Sequence, residues 1–452
     1  MPQSITLSRL STLLLAFAAA TPGWAAVTAE EAAKLKSELT PLGAERAASK
    51  DGAIPAWTSG YTTVSASYKA GTPRPDPFAA DKPVYSITAA TMAQHADKLS
   101  DGQQALLKKY PSYRIDVYPT RRTAAAPEWV YDNTLKNATR AKTANNGDTV
   151  VGAYGGIPFP IPKSGKEAMW NHLLRWAGEA ALFEGSTWSS SGGRVALAAT
   201  IRSEINYPYY YKDGTPQKFA GEYWYNYQVT LEPSFKAGET ILVRDPVDQV
   251  GMNRQAWQYL VGQRRVRKAP NLAYDTPDPT TSGNAFMDEV TLFLGAMDRF
   301  EFKIVGKKEL LIPYNLNSFI QKKPQDVVGG NHLNPDPMRW ELHRVWVVEA
   351  ELAPGKRHAV PKRRYYLDED TWAVSLYDGW DAQGQLWRTG LALPFLAPEI
   401  PAVISANFVT MDLLKGSYQA AIVNGNAAQW EARAPYPETN FTPESVAARG
   451  VR

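Results

Sequence analysis

The chain has 452 residues, 44% of them hydrophobic, with 49 Lys and Arg against 45 Asp and Glu and no cysteine. A formal net charge of +4 over this length excludes the electrostatic footprint of a nucleic-acid binder. The missing cysteine excludes disulfides, thiolate metal sites and a lipid-modified N-terminal cysteine.

The N-terminus carries the three parts of a secretory signal. Arg9 is its only charge, Leu10 to Ala20 is an apolar run, and Thr21 to Ala26 supplies a breaker and small residues. Cleavage after Ala25 places Gly23 and Ala25 at the small-residue positions, and the apolar run falls short of the roughly 20 residues a membrane span takes. Residues 1–25 are therefore expected to be a signal peptide, and the mature protein a soluble one released into a Gram-negative periplasm.

Thr28 to Leu39 reads as a short helix, with Thr28 as cap, Glu31 in capping-box spacing and Pro41 beyond its end. Residues 51–83 carry five prolines and read as an extended arm. Thr88 to Lys109 has helical character. Tyr113, Ile115 and Val117 alternate like a strand, and Pro127 to Tyr131 is expected to be another. Gly155 to Pro162 forms a stiff apolar turn, leading into a helix expected from Lys166 to Leu182.

From there the period changes to two. In Tyr223 to Glu232, the residues Tyr223, Tyr225 and Tyr227 share one face, and Asn226 and Gln228 the other. Trp257 and Tyr259 repeat the theme, as do Phe300, Phe302 and Ile304. In Arg339 to Leu352, Trp340, Leu342, Trp346 and Val348 oppose Glu341, His343, Glu349 and Glu351. This alternation marks an antiparallel sheet with one buried and one wet face. Residues 363–388 form a meander, with tight turns at Glu369–Thr371 and Asp381–Gly384. Leu391 to Val409 is apolar but interrupted by prolines, so it is expected inside the fold. The basic runs at 264–268 and 362–364 read as solvated strand edges or loops.

Catalytic signatures are missing. Ser189 to Gly193 does not fit a nucleophile elbow, and Ser164-Gly165-Lys166 lacks the first glycine of a phosphate loop. The five histidines are dispersed. Glu341 and His343 point the same way along a strand and are read as part of a polar outer face. No catalytic residue, metal site or cofactor is expected.

The segments 39–46, 51–57, 155–160, 298–309, 313–315 and the 363–388 meander resemble, in that order, a proteobacterial periplasmic family of unknown function. Its members are labelled outer-membrane lipoprotein-sorting proteins and look related to the lipoprotein carriers LolA and LolB. That resemblance implies an α+β, β-rich fold: a strongly curved antiparallel sheet, or incomplete β-barrel, with helices over its concave face and an irregular N-terminal extension. The expected divisions are 26–150 as a helical and Pro-rich wrapping segment, 151–435 as the sheet domain, and 436–452 as a loose tail.

The implied function is binding or shuttling of a lipid, lipoprotein or other hydrophobic compound between inner and outer membrane, without catalysis. An outer-membrane β-barrel protein and an inner-membrane exporter are the implied partners. The expected lining of the cavity is Tyr225, Tyr227, Trp257, Tyr259, Phe302, Trp340, Trp346, Trp372 and Leu376. A ligand-free assembly factor docking on an outer-membrane barrel is the alternative, and a periplasmic hydrolase a third.

Overall fold

The computed structural model describes residues 27–270, 272–422 and 430–450, and in it the period-two segments become strands of one large sheet. The expected signal peptide lies outside the described residues. The N-terminal part holds α1 (Ala29–Ala33), β1 (Tyr85–Ile87), α2 (Asp101–Lys109), β2 (Ile115–Val117), α3 (Glu128–Arg140), the hairpin β3 (Lys142–Ala144) and β4 (Thr149–Val151), and α4 (Gly165–Leu173). A first meander follows: β5 (Ala180–Ser191), β6 (Arg194–Asn206), β7 (Glu222–Glu232), β8 (Thr240–Pro246), β9 (Gln255–Leu260) and β10 (Arg265–Lys268). After β11 (Phe300–Pro313) come the one-turn helices α5 (Asn317–Ile320) and α6 (Pro324–Val327). The second meander continues through β12 (Trp340–Leu352), β13 (Lys362–Asp368), β14 (Val374–Trp380), β15 (Leu386–Ala397), β16 (Ala402–Asp412) and β17 (Ser417–Ile422). The chain then adds β18 (Trp430–Arg433) and α7 (Pro443–Gly450).

The two meanders join where β17 pairs with β5, Tyr418 opposite Ser190. From β11 through β17 and on from β5 to β10, each strand is antiparallel to its neighbour, and β10 and β11 stay unpaired to each other, so the sheet is not closed. The fold is thus mixed α+β and strand-rich, with a large, mostly antiparallel, open sheet. The sharp turn at Asp381–Gly384 follows from Asp381 Oδ1 accepting from Gln383 and Gln385 N–H (3.0 and 2.8 Å), with Gly384 at φ +76°.

Several local expectations change. Pro127–Tyr131 is the start of α3, not a strand: Val130, Thr134, Asn137 and Ala138 recur at helical spacing on its buried side. Five residues were too few to separate the two periods. The 88–109 segment breaks at Ser100, which caps α2 in a capping box with Gln103, leaving a 3₁₀ turn at Met92–Lys98 before it. The helix expected to reach Leu182 stops at Leu173, and α4 is buried on every side, so no amphipathic stripe marks its end. Residues 436–450, expected as a loose tail, pack instead. Phe441 and Val446 are fully buried against Tyr225, Tyr227, Leu242 and Tyr259.

Two polar expectations also reverse. Arg363, assigned to a solvated edge, is buried beside Asp288, whereas Arg264, Arg265, Arg267 and Lys268 stay exposed on the β9–β10 hairpin. Glu341 and His343 are 0% and 1% exposed, because the N-terminal arm covers their face of β12. Arg121 N–H donates to Glu341 Oε2 (2.6 Å), Arg339 Nε to Oε1 (2.5 Å), and the Tyr314 ring stacks 3.9 Å from His343. No helix among the described residues is long and apolar enough to cross a membrane.

Candidate functional site

A cavity of about 200 Å³ lies against one face of the sheet, where strands β16, β17 and β5 to β8 run side by side. Alternate residues form its floor: Ile404, Ala406 and Phe408 on β16, Ile201, Ser203 and Ile205 on β6, and Ile241 and Val243 on β8. On β7 the register shifts between Glu222 and Trp224, so Tyr223 and Trp224 both reach the cavity, followed by Asn226 and Gln228. Such a floor is apolar with a few polar groups, as expected for a small-molecule site. The residues after α4, Arg175 and Ala177, close one side.

The cover is the irregular segment from Asp278 to Leu294. Met287, Val290, Thr291 and Leu294 look down on the floor. Thr291 and Leu292 both adopt left-handed backbone angles (φ +49° and +70°), which cost about 1–3 kcal/mol each for residues of this kind. Buried ion pairs hold the segment there. Asp288 accepts from Arg363 Nη1 (2.9 Å) and from His358 Nε2 (3.0 Å), and Glu289 Oε1 from Arg388 Nε (2.9 Å). Burial alone would raise the Asp288 carboxyl; Arg363 and His358 outweigh it and hold the group well below the usual carboxylate range. Arg388 also donates to Asn284 O (2.9 Å), and Ser189 to Thr281 O (3.0 Å), so β15 and β5 both grip the cover.

His172, in the last turn of α4, links this region to the core. Its Nδ1 accepts from Val374 N–H (2.9 Å), which leaves Nε2–H to donate to Phe293 O (3.0 Å). Burial holds its pKa well below 6.5. With the folded pKa below the unfolded one, its contribution to stability is full above about pH 6.5 and falls as pH drops toward the folded pKa. Between pH 6.5 and 5, wild type should lose stability faster than His172→Gln, by up to about 1.4 kcal/mol per pH unit. Parallel slopes in denaturant titrations at each pH would refute this.

A second polar cluster sits near the β13–β14 turn. Ligand atoms of His343, Asp368 and Asp370 lie within 4.8 Å of one another. Arg122 donates to both oxygens of Asp370 (2.6 and 2.9 Å), and Asp368 Oδ2 accepts from Thr371 (2.6 Å) and Tyr314 (3.2 Å). His343 Nε2 meets Glu341 (3.2 Å), while His343 Nδ1 faces Asp368 Oδ1 at 4.0 Å and Asp370 Oδ2 at 3.9 Å. Burial, reinforced by Asp370, pushes Asp368 up to about 6. Through Arg121 and Arg122 the cluster pins the N-terminal arm to the sheet.

None of the nine residues expected to line the cavity is in its wall. Tyr225, Tyr227, Trp257 and Tyr259 lie in the cluster formed with α7, while Phe302, Trp340, Trp346, Trp372 and Leu376 belong to the main core. Bulky aromatic faces fill the space they border. The cavity survives beside the smaller side chains of the strands, such as Ser203 and Ala406, and that contrast in bulk along β6 and β16 was the signal available in the sequence.

The family described as "Protein of unknown function (DUF1329)" matches residues 86–447. A Pseudomonas aeruginosa protein, itself uncharacterised, is 38% identical over 452 residues, covering 96% of each chain. Among solved structures, a DUF1329 family protein from Desulfovibrio piger is similar at 14% identity and a TM-score of 0.39, covering 60% of this chain and 92% of its own. A LolA superfamily protein from Nitrosomonas europaea is similar at 10% identity and 0.35, covering 63% and 100%.

Proposed function

This chain belongs to the DUF1329 family, whose description assigns no activity, and from that premise we propose that it binds and shuttles a lipid, lipoprotein or other hydrophobic compound in the periplasm, between inner and outer membrane. The observation that carries the proposal is the cavity: an apolar chamber of about 200 Å³ under a clamped, backbone-strained cover. Burying each methylene contributes roughly 0.8 kcal/mol, so a chamber of this kind holds an acyl chain or a similar apolar group without any covalent step. The cover offers a route for loading and release, because strained segments are where packed structures open.

Native mass spectrometry of the protein purified from a periplasm, followed by organic extraction, tests this directly. A co-purifying lipid or apolar compound is expected. Ala406→Trp fills the chamber from its floor, and should weaken uptake of a fluorescent acyl probe by about 100-fold or more while leaving the thermal midpoint within a few degrees. A clean apo mass with no probe uptake would refute the carrier and favour a factor that docks on an outer-membrane barrel.

A further inference from the structure

Arginines buried in this protein come with a carboxylate. Arg74, Arg122, Arg254, Arg339, Arg363 and Arg388, with side chains 11% exposed or less, pair with Glu399, Asp370, Asp245, Glu341, Asp288 and Glu289 respectively. This is the expected pattern, since a buried charge without a partner is costly.

Arg175 breaks it. It lies in the cavity wall, its Nη1 donates to His172 O (2.6 Å), and it makes no ion pair among the described residues. Every Asp and Glu of the sequence is among those residues, so no acidic side chain elsewhere can supply the partner. Its titratable neighbours are the phenols of Tyr207, Tyr223 and Tyr210, which burial keeps protonated and neutral, and burial holds its own pKa below the ordinary arginine value. The other charged residues of the wall are accounted for. Arg254 donates from Nε and Nη2 to Asp245 and from Nη1 to Leu272 O, and Asp278 turns back to cap Thr280.

Two more polar groups of the same wall are left over. The Tyr223 hydroxyl and Asn226 Oδ1 are buried without a hydrogen-bond partner, on residues 4% and 8% exposed. Native proteins satisfy nearly all such groups, and these two sit on the wall that Arg175 shares, where a polar ligand group would partner them.

We propose that the cavity takes a single-chain amphiphile with an oxyanion head, carboxylate or phosphate, whose head pairs with the Arg175 guanidinium and accepts from the Tyr223 hydroxyl. The tail lies on Ile201, Ile205, Ile241, Val243 and Phe408 beneath Leu294. The planar guanidinium suits either head bidentately. This inference rests on the carrier reading and names its ligand class.

The test uses the mature protein and three ligands with sixteen-carbon chains in an acyl-probe displacement assay: palmitate, palmitoyl lysophosphatidic acid and hexadecanol. At least one anionic ligand is expected to bind about tenfold or more tighter than the alcohol, and which one identifies the head. Arg175→Met should abolish that preference while keeping hexadecanol binding, and Arg175→Lys should restore part of it. Tyr223→Phe, nearly isosteric, should reduce the preference without unfolding the protein. Equal binding of acid and alcohol by wild type, or an undiminished preference in Arg175→Met, overturns the head-group assignment while leaving the carrier standing. Failure of all three ligands and the probe overturns both.

Discussion

Replacing Asp288 by alanine should destabilise the protein by about 3–5 kcal/mol, the range for stripping one partner from a buried ion pair. The change leaves Arg363, 1% exposed, with Tyr365 and His358 as neighbours but no carboxylate. It also frees the cover, where Thr291 and Leu292 hold strained angles only as long as both clamps grip. A denaturant midpoint, compared with wild type at matched slope, measures the loss. The paired change Asp288→Leu with Arg363→Met should recover most of it, because two apolar groups leave no charge unpaired. A loss under about 1 kcal/mol for Asp288→Ala would mean that water reaches the pair and that the cover is loose already. Since the folded carboxyl titrates below its ordinary value of 3.8, this stabilisation is full above that pH and disappears as pH falls through the folded pKa.

Trp372→Ala carries a comparable penalty for a different reason. Trp372 is fully buried, stacks on Trp346 (centroids 6.1 Å, planes 17° apart), and donates from Nε1 to Leu42 O at 2.7 Å. Removing a core tryptophan costs about 3–5 kcal/mol in lost burial and cavity formation. The orphaned Leu42 carbonyl adds about 1–3 kcal/mol unless water enters the space. Trp372→Phe separates the two parts: it keeps most of the packing and should lose mainly the hydrogen bond. Limited proteolysis gives the second readout, because the indole ties the N-terminal arm to the β13–β14 turn. Trp372→Ala should expose the stretch around Leu42 to cleavage before the sheet unfolds. Unchanged cleavage there would show that the other contacts of the arm, among them Arg122 with Asp370 and Lys307 with Glu45, hold it without the indole.

What could be read from the chain was local. Thr28 with Glu31 formed the capping box its spacing called for, and Asp381 with Gly384 turned the meander as a sharp turn between β14 and β15 must. Alternation identified β7, β12 and β13 as strands, since the period of a pleated chain depends only on neighbours two residues away. The order of the meander 363–388 was equally readable, because short connections leave adjacent strands no choice but to pair antiparallel. The resemblance to a family of unknown function also came from segments in a fixed order, and the family match over 86–447 agrees with it.

Tertiary structure decided the rest. Alternation divides a strand into two faces without saying what covers either, and here both are covered. On β7, α7 arrives from more than 200 residues away to seal Tyr225 and Tyr227, while Trp224, Asn226 and Gln228 meet the cavity. The expected lining residues were assigned to the face with more aromatic bulk, which is the face that fills. Arg363 looked like surface for the same reason, because its partner Asp288 is remote in sequence. Glu341 and His343 did so because the backbone of Arg121 and the ring of Tyr314 that cover them come from other parts of the chain. The joining of β17 to β5, which makes two meanders into one sheet, likewise depends on a pairing across more than 200 residues. Periodicity is a property of the strand itself, and the chain states it outright. Which side is inside is a property of what packs on it, and only the folded molecule contains that.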